Sequence, residues 1–181
     1  VAIKFALERK LDQSGAGKAP PGISLEDILS MVQNGVEETR RIMTNLRPSI
    51  LDDLGILATI NWFCREFQKV YPHIQIQREI DVQEEEVPDS LKTVIFRILQ
   101  EAMNNIAKHS RADTLGLGLT RKNDRVTLRI QDNGVGFEPE NCRKGLGLSS
   151  IKERTQLSGG IFILESGPGK GSHMEVRWPA A

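Results

Sequence analysis

Beyond Pro48 the apolar residues change period several times, and the order of those changes leaves few folds open to the chain. Leu57, Ile60, Cys64 and Phe67 fall on one face of a helix. Ile74, Ile76, Ile80 and Val82 then alternate with polar residues as a half-buried strand. An acidic run, Glu84 to Glu86, reads as a solvated turn before Pro88, and helical period returns over 89–109 through Leu91, Val94, Ile95, Ile98, Leu99, Ala102 and Ile106. Leu115, Leu117 and Leu119 are placed to pair with Val126, Leu128 and Ile130 across the turn Lys122-Asn123-Asp124. A glycine-punctuated loop covers 133–147, and a helix runs on to about Leu157, where Gly159-Gly160 stops it. Strands at 161–166 and 172–178 flank the turn from Gly167 to Gly171. That succession predicts an α/β sandwich, a mixed sheet with helices on one face.

The residues before Pro48 follow a different rule. VAIKFALERKL carries Ile3, Leu7 and Leu11 on one helical face, and SGAGKAPPG at 14–22 breaks the helix. Ser24 and Asp27 form a capping box, with Ile23 and Ile28 placed as a hydrophobic staple. Leu25, Leu29, Val32, Val36, Thr39, Met43 and Leu46 then alternate steps of four and three, the seam of a coiled coil or four-helix bundle. Two helices cannot bury such a seam on both sides. A second copy of the hairpin is one partner for it, and the chain's own following domain is the other. The expected division is a helical hairpin at 1–48, dimerising through 1–47, and a second domain at 49–181.

Composition narrows the function classes. Lys+Arg and Asp+Glu each number 24, so no net basic charge points to nucleic acid. No apolar run approaches the roughly 20 residues that span a bilayer, and no leader pattern follows Val1. We therefore expect a cytoplasmic piece without direct membrane contact. Cys64 and Cys142 lack metal-ligand spacing; Cys64 sits on the apolar face of its helix, whereas Cys142 lies in the glycine loop.

Three short stretches carry chemistry. On the helix over 89–109, Glu101, Asn105 and Lys108 share one face at spacings of four and three. A carboxylate and an amide oxygen at that spacing suit one hard divalent cation whose remaining ligands are waters and phosphates, with Lys108 as a point charge for phosphate. The same pattern also fits a solvated polar stripe. Asp132-Asn133-Gly134-Val135-Gly136-Phe137 follows a strand. Its carboxylate could accept from an exocyclic amine, and Gly134 and Gly136 would admit a flat ring, although an ordinary Asn-Gly turn has this composition too. Gly145-Leu146-Gly147-Leu148, preceded by Arg143-Lys144, opens a helix whose free amides would attract phosphate.

Taken in order, the three stretches resemble the N, G1 and G2 boxes of the GHKL (Bergerat-fold) ATPase superfamily, which includes gyrase, Hsp-type chaperones, histidine kinases and mismatch-repair ATPases. The turn Gly167-Pro168-Gly169-Lys170-Gly171-Ser172 is similar to that family's closing glycine motif. QEAMNNIAKHSRA and NLRPSILDDLGILATINWF resemble the sensor histidine kinases of the nitrate- and membrane-fluidity-sensing subgroup. The resemblance covers essentially the whole chain and implies ATP and magnesium as ligands. Asn105 would bind the metal, with Glu101 holding or polarising its water shell as the second catalytic group. Lys108 would reach phosphate or ribose; His109 would do the same or be structural. Asp132 would read the adenine amine, with Gly134 and Gly136 shaping that pocket. Lys144, Gly145, Leu146, Gly147 and Leu148 would line the phosphates, Ser172 would join the nucleotide site, and 138–146 would form a lid.

The resemblance also implies a response-regulator receiver domain as partner and a phosphoacceptor histidine. In that subgroup a His-Asp pair begins the first helix before a segment like VAIKFALERKL, so the resemblance implies an acceptor upstream of Val1, and His73, His109 and His173 occupy none of the right contexts. The expected activity is thus the ATP-binding catalytic part of a protein-histidine kinase that does not label itself. A non-catalytic nucleotide-binding dimerisation module of the same fold is the alternative, and a serine kinase or gyrase-like ATPase is a third.

Overall fold

The structure, a computed structural model, describes residues 30–32, 35, 49–139 and 146–179. The chain divides into two units, Val1–Arg47 and Pro48–Ala181. In the first, Ser30 to Val32 and Gly35 are helical; the rest of the expected hairpin and its heptad seam lie outside the described residues.

The second unit begins with α1 (Ser49–Val70), which breaks at Gly55, where φ is 79° and ψ is −176°. Only glycine adopts that conformation without strain. The helix resumes at Ile56 and buries Ile56, Ile60, Phe63, Cys64 and Phe67. Cys64 is 1% exposed, and burial pushes its thiol up to about 11 against a partial opposing pull from Arg78. It belongs to the core, as its place on the apolar face implied.

The acidic run corrects an expectation. Glu84–Glu86 is a 3-10 turn, and Glu84 is not a solvated turn residue. Its Oε1 accepts from the Ile56 amide at 2.9 Å and its Oε2 from the Leu57 amide at 3.0 Å. These are orphan donors of the restarted helix, so a carboxylate from elsewhere in the chain caps it. Lys92 holds the same carboxylate at 2.8 Å. A Cβ on Gly55 would lie 2.2 Å from Glu84 Oε1, a second reason for glycine there.

The remaining elements are β1 (Gln75–Asp81), α2 (Asp89–Asn105), β2 (Thr114–Lys122), β3 (Arg125–Asp132), α3 (Leu146–Leu157), β4 (Ile161–Ser166) and β5 (Ser172–Pro179). The sheet order is β1-β2-β3-β5-β4. β1 runs parallel to β2, and every other neighbouring pair is antiparallel. The β2–β3 hairpin turns through Asn123 and Asp124, both at positive φ, which matches the right-handed twist of the flanking strands. Its register sets Leu117 opposite Ile130 and Leu119 opposite Leu128.

Alternation sends Leu115, Leu117, Leu119, Val126, Leu128, Ile130, Met174, Val176 and Trp178 into one core with the apolar faces of the three helices. The opposite sheet face is polar. There Glu175, 4% exposed, lies between Arg129 and Arg177 and pairs with both. Burial alone would push its carboxyl up, but the two guanidiniums carry it below the usual carboxylate range.

Candidate functional site

A cavity of about 430 Å³ opens between α2, α3 and the helix-facing side of β3, β4 and β5. That volume lies within the range of small-ligand sites. Ile130, Leu164 and Met174 reach it from three different strands, and Ala102, Ile106 and Ile151 from the helices. Asp132, Ser172, Asn105, His109 and Ser110 supply its polar groups.

Asp132 is the last residue of β3 and is 9% exposed. Its Oδ1 accepts from the Gly134 amide at 2.8 Å, and its Oδ2 accepts the Ser172 hydroxyl. β5 pairs Ser172 directly with Asp132, so the sheet register itself fixes this contact. Both oxygens are thereby oriented, and lone pairs remain for a donor inside the cavity.

The segment after Asp132 is pinned from two sides. The Val135 amide donates to the Ser110 carbonyl at 2.7 Å, and the Gly169 amide donates to the Val135 carbonyl at 2.7 Å. Asn133 ties the segment to the start of β2, its Oδ1 accepting from the Asp113 and Thr114 amides. Gly136, at φ 61°, passes so close to the 167–171 turn that a Cβ would sit 2.0 Å from the Gly167 carbonyl oxygen. The Asn-Gly sequence is therefore held against two neighbouring elements rather than a free turn, and Gly136 and Phe137 after it line the cavity.

α2 presents Glu101 and Asn105, both half-buried. The first turn of α3 leans directly on them: a Cβ on Gly147 would lie 2.3 Å from Glu101 Oε1 and 2.9 Å from Asn105 Nδ2. Gly147 and Leu148 line the cavity. Lys144 and Gly145 lie outside the described residues, as does most of the expected lid, while Leu146 is the first residue of α3.

The helix expected over 89–109 ends as an α-helix at Asn105 and continues as a π turn, Ile106–Ser110. The wider turn rotates each residue by less than the roughly 100° of an α-helix, so the face shared by Glu101 and Asn105 does not extend to Lys108. Lys108 is exposed and does not line the cavity, whereas His109 does.

The structure thus brings together Asn105, His109, Asp132, Gly136, Gly147, Leu148 and Ser172 around one cavity, with Glu101 directly behind Gly147 and Gly134 behind Asp132. Sequence reasoning did not assign the apolar walls or Ser110. Ile130 and Met174 were legible only as inward strand positions, and nothing local distinguishes a core residue from a cavity wall. A second cavity, of about 410 Å³, lies on the polar side of the sheet beside Gln131, Glu165, Lys170 and His173. No large apolar side chain lines it, and it contains none of the α2 groups.

The chain is 33% identical over 150 residues to the sensor histidine kinase LiaS of Bacillus subtilis, covering 82% of this chain and 41% of that protein. It is also 33% identical over 163 residues to the sensor protein VraS of Staphylococcus haemolyticus, covering 90% and 46% respectively. It therefore spans less than half the length of these relatives. Among solved structures it aligns with the Acinetobacter baumannii histidine kinase AdeS at TM-score 0.59 and 17% identity, over 99% of this chain and 93% of that one. The histidine kinase domain from the Erythrobacter litoralis EL346 blue-light activated histidine kinase aligns at TM-score 0.59 and 19% identity, over 68% and 60%. At those identities the structural likeness carries the fold alone.

Residues 91–181 match the family described as histidine kinase-, DNA gyrase B-, and HSP90-like ATPase. That span opens within α2 and takes in every residue lining the cavity between α2 and the sheet. The likeness reaches the site as well as the scaffold, and the chain belongs to this ATPase family.

Proposed function

We propose that the chain is the ATP-binding catalytic part of a two-component sensor histidine kinase. In this reading it moves the γ-phosphoryl of ATP to a histidine outside these 181 residues, for relay to an aspartate of a response-regulator receiver domain. The observation that carries the proposal is the pairing within one cavity of a strand-end carboxylate, Asp132, with Asn105 of the helix wall, with Glu101 of the same helix directly behind Gly147. The sensor-kinase relatives at 33% identity support the choice of kinase over other members of the family.

Asp132 would accept the adenine amine while Ser172 and the Gly134 amide hold its carboxylate in place. Ile130, Leu164 and Met174 would exclude water around the base. Asn105 supplies a hard amide oxygen and Glu101 a carboxylate, a donor set that fits magnesium sharing its shell with water and phosphate. Magnesium, when bound, would neutralise phosphate charge, and phosphoryl transfer depends mainly on such neutralisation and on positioning. Gly147 lets the start of α3 approach these groups, so its amides would face the phosphates. Residues 1–47 would dimerise, and the site would lie in the cytoplasm.

The test is calorimetry on the parent and two variants. Asp132→Asn keeps the local bonds to Gly134 and Ser172 feasible but replaces the acceptor for adenine. It should weaken MgATP by about tenfold or more and leave an unrelated triphosphate nearly unaffected. Asn105→Asp should chiefly disturb the magnesium-dependent part of binding. If both variants bind MgATP as the parent does, the site assignment is wrong.

A further inference from the structure

The junction between α2 and β2 contains one side chain that the nucleotide reading leaves without a role. α2 passes from α to π geometry at Ile106, and Arg111, at φ 55°, ends the π turn. A π turn is a rare local form that is frequent at functional sites. Here the Ser110 hydroxyl holds it: the hydroxyl donates to the Ile106 carbonyl at 2.8 Å and accepts from the Ala112 amide at 3.0 Å. The same residue also faces the loop after β3. Its carbonyl accepts the Val135 amide at 2.7 Å, and a Cβ on Gly134 would lie 2.2 Å from that carbonyl oxygen.

Ser110 therefore joins the two halves of the cavity by chemically separate means, two side-chain bonds and one main-chain bond. Its side chain fixes the turn that follows Asn105 and sets His109 on the cavity. Its main chain fixes the loop that follows Asp132. We infer that Ser110 is a positioning residue that sets the Asn105–His109 wall relative to the Asp132 wall, acting through the π turn and not by contact with the reacting atoms. The inference rests on the nucleotide site proposed above.

A side-chain substitution cuts only the two hydroxyl bonds and leaves the main-chain bond, which makes the role separable from general stability. In Ser110→Ala the phosphate side of the site should loosen while the base side keeps its loop. MgATP affinity should fall about five- to tenfold, since the hydroxyl bonds act on the nucleotide only through the turn, and adenosine affinity should stay within about twofold. Ser110→Thr retains the hydroxyl and should bind both ligands like the parent. Native-state hydrogen exchange gives an independent reading: in Ser110→Ala the Ala112 amide should lose protection and the Val135 amide should keep it.

Calorimetry with MgATP and an NMR titration with adenosine, on the full chain, decide the matter. If the parent binds MgATP and Ser110→Ala matches it, or loses adenosine equally, the positioning role is refuted while the site stands. Loss of MgATP in Ser110→Thr as large as in Ser110→Ala refutes it as well. A parent that binds neither ligand overturns the site assignment and this inference together.

Discussion

Replacing Glu84 with alanine should destabilise the Pro48–Ala181 unit, although Glu84 does not line the cavity. The carboxylate accepts from two amides at the restarted N-terminus of α1 and lies at the positive end of that helix. Loss of a helix cap costs about 0.5–2 kcal/mol, and loss of a charge at the dipole adds about 0.3–1 kcal/mol. The Lys92 pair contributes little more, because both side chains retain some solvent (18% and 27% exposed) and Lys92 keeps a second partner in Asp89 at 2.8 Å. The expected total is about 2 kcal/mol, a fall in Tm of about 7 °C for a unit of this size. Trp62 and Trp178 are the only tryptophans in the chain, and both lie in this unit. Tryptophan fluorescence on the full chain therefore reports its melting directly.

The pH dependence supplies a sharper criterion. Burial pushes the Glu84 carboxyl up, but the Leu57 amide, Lys92 and the Ile56 amide together hold it below its ordinary value. The folded pKa then lies below the unfolded one, near 4.3. Its contribution is complete above that unfolded value and disappears as pH falls through the folded one. The Tm gap between parent and Glu84→Ala should be full at pH 7 and close in acid. A gap under about 2 °C at pH 7, or one that persists undiminished in acid, would refute the capping argument.

Two further predictions concern the proposed kinase. The 181-residue chain should acquire no acid-labile, base-stable label from γ-labelled ATP, because His109 belongs to the cavity wall, His173 lines the polar sheet face, and His73 sits edge-on to Tyr71 on a turn that does not line the cavity. Robust base-stable labelling of this chain would show that the acceptor is misplaced. Sedimentation at several concentrations should show reversible self-association that Val36→Glu and Met43→Glu reduce, and a strictly monomeric parent at high concentration would count against the heptad seam.

Amino-acid periodicity alone determined the number, kind and approximate bounds of the elements after Pro48, together with the two hairpins β2–β3 and β4–β5. These depend on local alternation and on turn residues such as Asn123-Asp124 and Gly167 to Gly171, which act over a few positions. Asp132 and Asn105 stood out as candidates, but each alone also fitted a solvated stripe or an ordinary turn, and only the order of the three stretches together implied a nucleotide site.

Contacts between residues distant in sequence were decided only by the tertiary structure. The insertion of β5 between β3 and β4 is one such case, and it brings Ser172 to Asp132. Glu84 is another: three successive glutamates look solvated until the glycine break at Gly55 exposes two amides 27 and 28 residues away. The π turn after Asn105 is a third: there the Ser110 carbonyl accepts the Val135 amide of the loop after β3, a pairing that the helical pattern over 89–109 does not show. Periodicity records which side of an element is apolar. It carries no information about which distant group will satisfy a given donor, whether the Ser172 hydroxyl, the Ile56 and Leu57 amides or the Val135 amide.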